Sequence, residues 1–256
     1  MINQRTIPRT IIIYVVVLTI SELITSFHSQ IGGILMHSLL ILCLLGYSSV
    51  IKDKEFSNIF KVLTLPPLIR IIWASMPHML IKDMYWLLVI YLILFLASYL
   101  LIRNQGKDLQ WAGIVFNKPP VQLTIVLMGV VFGTIEYFIL SPGPLFHPLI
   151  GALVIGAPLV PPVAFIMFLS FVEELIFRGI IQNNAMKLIG EIKAVIFVSV
   201  IFAIMHIVWH SPSDLVFVLG VSLFYGYAFL KTKSIIGVSL SHGIANIFLF
   251  LIIPFM

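Results

Sequence analysis

The sequence predicts an all-α fold, a polytopic bundle of about eight to nine transmembrane helices, from its composition, its apolar runs and its loop charges. Of the 256 residues, 61% are hydrophobic and only 10% are charged, and the mean hydropathy is +1.14. A soluble domain of this length needs far more polar residues to cover its surface. Apolar runs long enough to cross a bilayer recur along the chain, so lipid is the solvent for most side chains.

The apolar runs between charged breaks predict the individual spans. These are 11–28, 31–50, 60–81, 84–102, 122–140, 163–184, 194–210, 214–230 and 235–255. The run at 60–81 contains Pro66, Pro67 and Arg70, which makes it either a kinked span or an interfacial helix. The run at 146–160 is too short for a span, and we expect an outer-face or re-entrant piece there.

The basic residues indicate how the bundle is oriented. With the N-terminus inside, the cytoplasmic loops hold Arg5, Arg9, Lys52, Lys54, Lys61, Arg103, Lys107, Lys118, Lys187, Lys193, Lys231 and Lys233. Such asymmetry is what orientation by positive loops requires. The net charge of +5 therefore reflects loops rather than a nucleic-acid partner. We expect a multi-pass cell-membrane protein with a cytoplasmic N-terminus. The lone Cys43 excludes an intrachain disulfide and a multi-cysteine metal site.

The densest group of ionisable residues inside a predicted span is at positions 173–178. On a helix, Glu174 and Arg178 stand at i and i+4 and can form an ion pair. Glu173 points about 100° away from Glu174, so it must find a partner on another helix or stay protonated. Such a carboxyl group is suited to general-base or proton-carrier chemistry. The alternative is a buried ion pair that only joins helices.

Two later predicted helices carry further polar side chains. Phe202 precedes His206 by one turn, and His242 precedes Asn246 by one turn, so that imidazole and amide share a face. By helical rise, Glu173, His206 and Asn246 lie about 15–20 Å from the cytoplasmic surface, and His242 about 10 Å. We expect these groups to meet in one layer, although polar contacts between helices would also explain each alone.

Glu22 and His37 do not fall in this layer. Glu22 is near the outer end of its predicted span and His37 near the outer start of the next. We interpret such positions as interfacial, with the polar group reaching toward water.

Together the motifs Glu173-Glu174-x-x-x-Arg178, Phe202-x-x-x-His206 and His242-x-x-x-Asn246, in this order on intramembrane helices, resemble the CPBP family. This is the CAAX-protease and bacteriocin-processing group, also called Abi, which includes type II CAAX prenyl endopeptidases. The resemblance covers roughly residues 123–250. It implies N-terminal helices and a cytoplasmic loop over 1–121, and an intramembrane protease core over 122–256 with a catalytic cavity between the C-terminal helices.

The resemblance also implies roles for the residues. Glu173 would be the general base of a glutamate-type endopeptidase, acting on a water that His206 also holds. His242 and Asn246 would stabilise the oxyanion. The supporting residues would be Glu174, Arg178 and Phe202. The implied partners are a lipidated or membrane-associated peptide and the lipid bilayer.

Alternatives remain at this point. Glu173, His206 and His242 could bind zinc with the fourth position open to water. The chain has no HExxH spacing, so we favour a mechanism without a cofactor. Intramembrane Glu and His also build the proton relays of transporters. A noncatalytic binding protein of the bacteriocin-immunity type could carry the same motifs.

Overall fold

The computed structural model describes residues 6–75, 83–143 and 160–256, which form helices joined by short turns and include no strand. The α-helices are α1 (Thr6–Phe27), α2 (Gln30–Val50), α3 (Lys54–Val62), α4 (Leu65–Ala74), α5 (Asp83–Asn104), α6 (Pro119–Leu140), α7 (Val160–Glu174), α8 (Asn183–Ile189), α9 (Glu191–Ile204), α10 (Pro212–Thr232) and α11 (Ile236–Ile247). π-Helical turns cover Leu175–Gln182 and Phe248–Ile252, and 3₁₀ turns cover Ile207–Trp209 and Ile253–Phe255. The predicted all-α class is confirmed.

Seven helical segments of the described chain are long and apolar enough to cross a membrane. They are Arg9–Phe27, Gln30–Val50, Lys54–Ala74, Leu87–Asn104, Pro119–Leu140, Glu191–Trp209 and Pro212–Thr232. The predicted span 163–184 is helical but changes from α to π geometry, and the predicted span 235–255 corresponds to the shorter apolar helix Ile236–Ile252. The multi-pass helical bundle is confirmed, while the count of eight to nine spans stays a prediction. The piece expected at 146–160 falls almost entirely in 144–159, outside the described residues.

The proline-containing segment is kinked. A turn at Leu63 and Thr64 separates α3 from α4, and Pro66 and Pro67 lie in the first turn of α4. Proline is tolerated there because the first N–H groups of a helix have no intrahelical partner. The kink brings Arg70 into the interior of the protein, where only 4% of it is exposed.

Polar contacts join basic residues at the ends of several helices to neighbouring helices. Lys118 donates to the carbonyl oxygen of Lys231 (2.6 Å), Lys233 pairs with Glu191 (3.5 Å) and Lys187 with Glu55 (3.4 Å). All of these ends belong to loops that the charge pattern assigns to the cytoplasm. The contacts therefore agree with a bundle whose basic loops share one end.

Glycines let α11 lie directly against its neighbours. A Cβ added to Gly129 of α6 would sit 2.2 Å from the carbonyl oxygen of Ser241, and one added to Gly133 would sit 2.1 Å from that of Ala245. On α11 itself, a Cβ on Gly243 would come within 2.3 Å of a methionine sulfur of α7. Small residues allow backbones to approach closely in membrane bundles. These contacts fix the axis of the helix that carries His242 and Asn246.

The interfacial interpretation of Glu22 and His37 is wrong. Both side chains are fully buried. Arg70 pairs with Glu22, with Nε 2.7 Å from Oε2, and His37 Nε2 lies 3.5 Å from Oε1 of the same carboxylate. The physical reason is that the kinked α4 supplies a buried cation, so Glu22 is neutralised inside the bundle and does not need water.

Candidate active site

An ion pair lies where α7 changes to π-helical turns. Arg178 Nη1 donates to Glu174 Oε1 at 2.9 Å, and both side chains are fully buried. Arg178 Nη2 also donates to Ser222 Oγ of α10 at 2.7 Å. The predicted i, i+4 pair is present, and it links the end of α7 to α10. π-Helical turns are frequent at functional sites because they re-aim side chains within a helix.

The neighbouring Glu173 lies in a different environment. Its side chain remains 23% exposed, whereas that of Glu174 is fully buried. The hydroxyl of Tyr91, on α5, donates a short hydrogen bond to Glu173 Oε1. Glu173 Oε2 lies 3.6 Å from His242 Nε2, beyond direct hydrogen-bond distance. Glu173 thus finds its partners on other helices, as expected for an acid without a local cation, and one of its oxygens stays available.

His242 connects the two acids. Its Nδ1 lies 2.9 Å from Glu174 Oε1, and its Nε2 faces Glu173. The imidazole also lies beside the ring of Tyr225, with centroids 6.0 Å apart. A carboxylate accepts hydrogen bonds, so Nδ1 carries the hydrogen in this pairing. The ring is therefore held with a defined nitrogen directed at Glu173.

His206 lies two residues beyond Ile204, the last residue of α9. Its Nδ1 lies 2.9 Å from the carbonyl oxygen of Phe202, one turn earlier. Because a carbonyl only accepts, Nδ1 carries the hydrogen, and Nε2 of the neutral ring is an acceptor. The Phe202 ring contacts both imidazoles, with centroids 4.8 Å from His206 and 6.0 Å from His242. Phe202 thus packs between the two histidines.

Asn246 lies one turn beyond His242 on α11. Its Nδ2 donates to Ser170 Oγ of α7 at 3.1 Å. Ser170 is fully buried and precedes Glu174 by one turn. The contact joins α11 to α7 a second time, close to the carboxylates, and leaves the amide with further hydrogen-bonding capacity.

The residues do not form a ready metal site. Within residues 6–75, 83–143 and 160–256, no group of three His, Cys, Asp or Glu side chains lies close enough to hold a metal ion. The three donors considered for zinc are Glu173, His206 and His242. Of these, His242 commits only Nδ1, to Glu174, and Glu173 commits one oxygen to Tyr91, so each keeps one donor atom. A mechanism without a cofactor stays a prediction.

The structure connects the predicted residues in two groups. Glu173, Glu174, Arg178 and His242 form one continuous polar network, and Phe202 and His206 pack against it through aromatic contacts. Asn246 adjoins the network through α7. No hydrogen bond of the described chain joins His206 directly to Glu173 or His242.

Sequence reasoning missed three partners, Tyr91, Ser170 and Ser222. Tyr91 is one tyrosine among several in an apolar run, and the two serines resemble those that pack helices anywhere in a membrane bundle. No spacing pairs any of them with the group that it contacts, because each lies on a different helix from that group. The sequence held no signal for them.

The apolar helices and the polar cluster inside them define a multi-pass membrane protein with a carboxylate–imidazole site in its bundle. Residues 155–248 match the family model for the Rce1-like type II CAAX prenyl endopeptidase. This is the family that the three motifs resemble, and its match contains all of them. No curated protein and no solved structure matches the chain.

At the level of the family, the match supports a CAAX-protease-like intramembrane endopeptidase. The match does not extend to α1–α6, so Arg70 and Tyr91 belong to a part of the chain that the family model leaves undescribed. The division of the chain at 121/122 stays a prediction.

Proposed function

We propose that this protein hydrolyses a peptide bond of a prenylated or other membrane-associated peptide, with a water activated by Glu173. One observation carries the proposal: of two adjacent acids, Glu174 is fully buried and paired with Arg178, whereas Glu173 keeps exposure and a free oxygen beside an imidazole. A general base needs access to water and an unoccupied acceptor. Glu173 has both.

The proposed reaction begins with a water that donates a hydrogen bond to Glu173 Oε2. Nε2 of His206, the acceptor nitrogen of the ring, would accept a hydrogen bond from the second hydrogen of that water. As the water oxygen bonds to the carbonyl carbon of the peptide, its proton passes to Glu173. The same proton then passes to the amide nitrogen as the C–N bond breaks, which gives an amine and a carboxylic acid. The acid then releases the remaining water proton to solvent and becomes a carboxylate.

The oxyanion that develops on the carbonyl oxygen requires hydrogen-bond donors opposite the base. We assign this role to the amide of Asn246 and to Nε2 of a doubly protonated His242. Glu174 supports that form of the ring, because its carboxylate accepts the Nδ1 hydrogen at 2.9 Å. Arg178 in turn fixes Glu174 through its contact at 2.9 Å.

The bundle would have a defined orientation in the membrane, and the reaction would need no cofactor. The shared end of the basic loops would face the cytoplasm, with the N-terminus inside. A prenylated peptide would enter between the C-terminal helices with its lipid in the bilayer. The reaction as proposed uses only the side chains of this chain.

A peptide assay tests the proposal. Purified protein in lipid nanodiscs would receive an internally quenched peptide that ends in a farnesylated Cys-aliphatic-aliphatic-X sequence. We expect cleavage by the wild-type protein and loss of cleavage in Glu173→Gln and His206→Ala variants that remain folded. The matched control is Glu191→Gln, an exposed acid paired with Lys233 at the bundle end, which should cleave normally. Full cleavage by folded Glu173→Gln would overturn the assigned base.

The same preparations separate the alternatives. Cleavage of a membrane-anchored peptide without the prenyl group at an equal rate would remove prenylation from the substrate definition. Proton flux into liposomes that Glu173→Gln stops, without any cleavage, would favour a proton-coupled transporter. A cellular immunity phenotype that survives both substitutions would favour a noncatalytic binding protein.

A further inference from the structure

A buried arginine of the N-terminal half reaches the backbone next to His206. Arg70 Nη2 donates to the carbonyl oxygen of Met205 at 2.7 Å, while Arg70 Nε contacts both oxygens of Glu22, at 2.9 and 2.7 Å. The Arg70 side chain thus bridges α1 and the end of α9. Met205 is the residue immediately before His206.

The end of α9 needs such a donor. The last carbonyls of a helix have no intrahelical partner, and inside a membrane protein water does not supply one. The Phe202 carbonyl accepts from the His206 ring, the Ala203 carbonyl accepts from the His206 amide at 2.9 Å, and the Met205 carbonyl accepts from Arg70. A fixed cation at a helix C-terminus also interacts favourably with the helix dipole.

The backbone of His206 depends on this termination. His206 has φ −91° and ψ 1°, in the sparsely populated bridge region between helix and strand. The chain then continues into the 3₁₀ turn Ile207–Trp209. The direction of the imidazole therefore depends on where α9 ends. At that end, the hydrogen bond from Arg70 of α4 holds the Met205 carbonyl in place.

Arg70 is itself held rigidly. Glu22 is fully buried and Arg70 is 4% exposed. The imidazole of His37, from α2, closes the other side of the carboxylate at 3.5 Å. A planar guanidinium offers several donors in a fixed fork, so one side chain can hold a carboxylate and a carbonyl together. Glu22 therefore holds Arg70 at Nε, while Nη2 of the same guanidinium donates to Met205.

We propose that Arg70 is a positioning residue for His206, and that the Glu22–Arg70 pair of the N-terminal helices sets the place of a water-binding imidazole in the C-terminal half. This inference rests on the proposed function. It gives the helices outside the family match a part in the reaction without contact to the substrate.

Arg70→Lys is the central test. Lysine keeps the charge beside Glu22 but lacks the fork that reaches the Met205 carbonyl as well. We expect kcat to fall at least about tenfold, since misplacing a catalytic group by about 1 Å can cost on the order of 100-fold. KM should stay within about twofold, because no substrate contact changes. Ser57→Ala is the matched control, since it removes a buried donor to the Ser48 carbonyl in the last turn of α2 (2.8 Å) and lies outside the kink before Arg70. That variant should keep the wild-type kcat.

A second measurement needs no substrate. Hydrogen exchange of the amides from Met205 to His210 should become faster in Arg70→Lys and stay unchanged in Ser57→Ala. If Arg70→Lys does not fold, Glu22→Gln/Arg70→Gln removes both charges together and takes its place, with the same expected results.

The outcomes are distinct. Wild-type kcat in folded Arg70→Lys, unchanged exchange at 205–210, or an equal loss in Ser57→Ala would each overturn the proposal, as would failure of both Arg70 variants to fold. Absence of cleavage by the wild-type protein would instead overturn the proposed function. In that case the exchange experiment still decides whether Arg70 positions the His206 segment.

Discussion

The same chemical change at two adjacent residues should give opposite results. Glu173→Gln and Glu174→Gln each replace one carboxylate oxygen by an amide nitrogen. We expect Glu174→Gln to reduce stability and Glu173→Gln to remove activity without loss of fold. The difference follows from the surroundings, because Glu174 is fully buried between Arg178 and His242, whereas Glu173 is 23% exposed.

The size of the Glu174 effect follows from its contacts. Breaking a buried ion pair costs about 3–5 kcal/mol, because the remaining charge stays buried without a counterion. Arg178 is fully buried and keeps only its contacts to Ser222 and to aromatic rings. Glutamine retains one acceptor oxygen, so we expect the lower end, about 3 kcal/mol. For a chain of this length, that corresponds to a fall in Tm of about 6–12 °C.

The Glu173 variant should behave differently. The amide oxygen of glutamine can still accept from Tyr91, so the loss of stability should be about 1 kcal/mol or less. Cleavage should fall about 100- to 10,000-fold, the usual contribution of a general base. Thermal unfolding of both variants in the same nanodiscs, together with initial cleavage rates at saturating peptide, measures both quantities.

Two results would refute this reasoning. Equal melting temperatures of Glu174→Gln and wild type would mean that the buried pair with Arg178 does not stabilise the fold. A Glu173→Gln variant that unfolds as readily as Glu174→Gln would mean that both acids are structural. Glu55→Gln, an exposed acid paired with Lys187 at 3.4 Å, controls for the loss of one negative charge and should resemble wild type in both assays.

Three further predictions concern the surroundings of the site. Tyr91→Phe should leave the protein folded and lower kcat about tenfold, because a hydrogen bond to a charged group contributes about 1.5–3 kcal/mol; an unchanged kcat at an unchanged Tm would show that Tyr91 does not orient Glu173. Gly133→Ala should destabilise the protein by about 1–3 kcal/mol, since its Cβ would lie 2.1 Å from a carbonyl oxygen of α11. Gly220→Ala, which meets nothing within 4 Å, serves as its control in the same unfolding assay. Incubation with a strong zinc chelator followed by its removal should leave cleavage unchanged, and activity that returns only on adding zinc would contradict the metal-free mechanism.

Much of the site follows from sequence spacing. The fixed length of a helical turn put Glu174 and Arg178 on one face, and the predicted ion pair occurs. The change to π-helical turns directly after Glu174 left no trace in the sequence. The short bond to Tyr91 likewise joins two helices that no motif relates.

In the N-terminal half, the sequence led to a wrong prediction that only the tertiary structure corrected. Position along a span suggested that Glu22 reaches water, yet the side chain is fully buried against Arg70. Residue depth alone does not reveal whether a neighbouring helix brings a counterion. Here the counterion is Arg70, which the kink at Leu63 and Thr64 directs toward Glu22. The direction of α4 after that kink depends on packing.

By itself, the sequence determined that this protein is helical and lies in a membrane. It also located the three motifs that hold the rare polar groups. Those properties are local, since composition sets the solvent and helical periodicity sets the i, i+4 pairs. Only the tertiary structure decided that Glu173 meets Tyr91, that His242 joins the two acids, and that Arg70 reaches the Met205 carbonyl. Each of these contacts joins helices distant in sequence, so the packing of the helices, rather than any residue pattern, determines which side chains face one another.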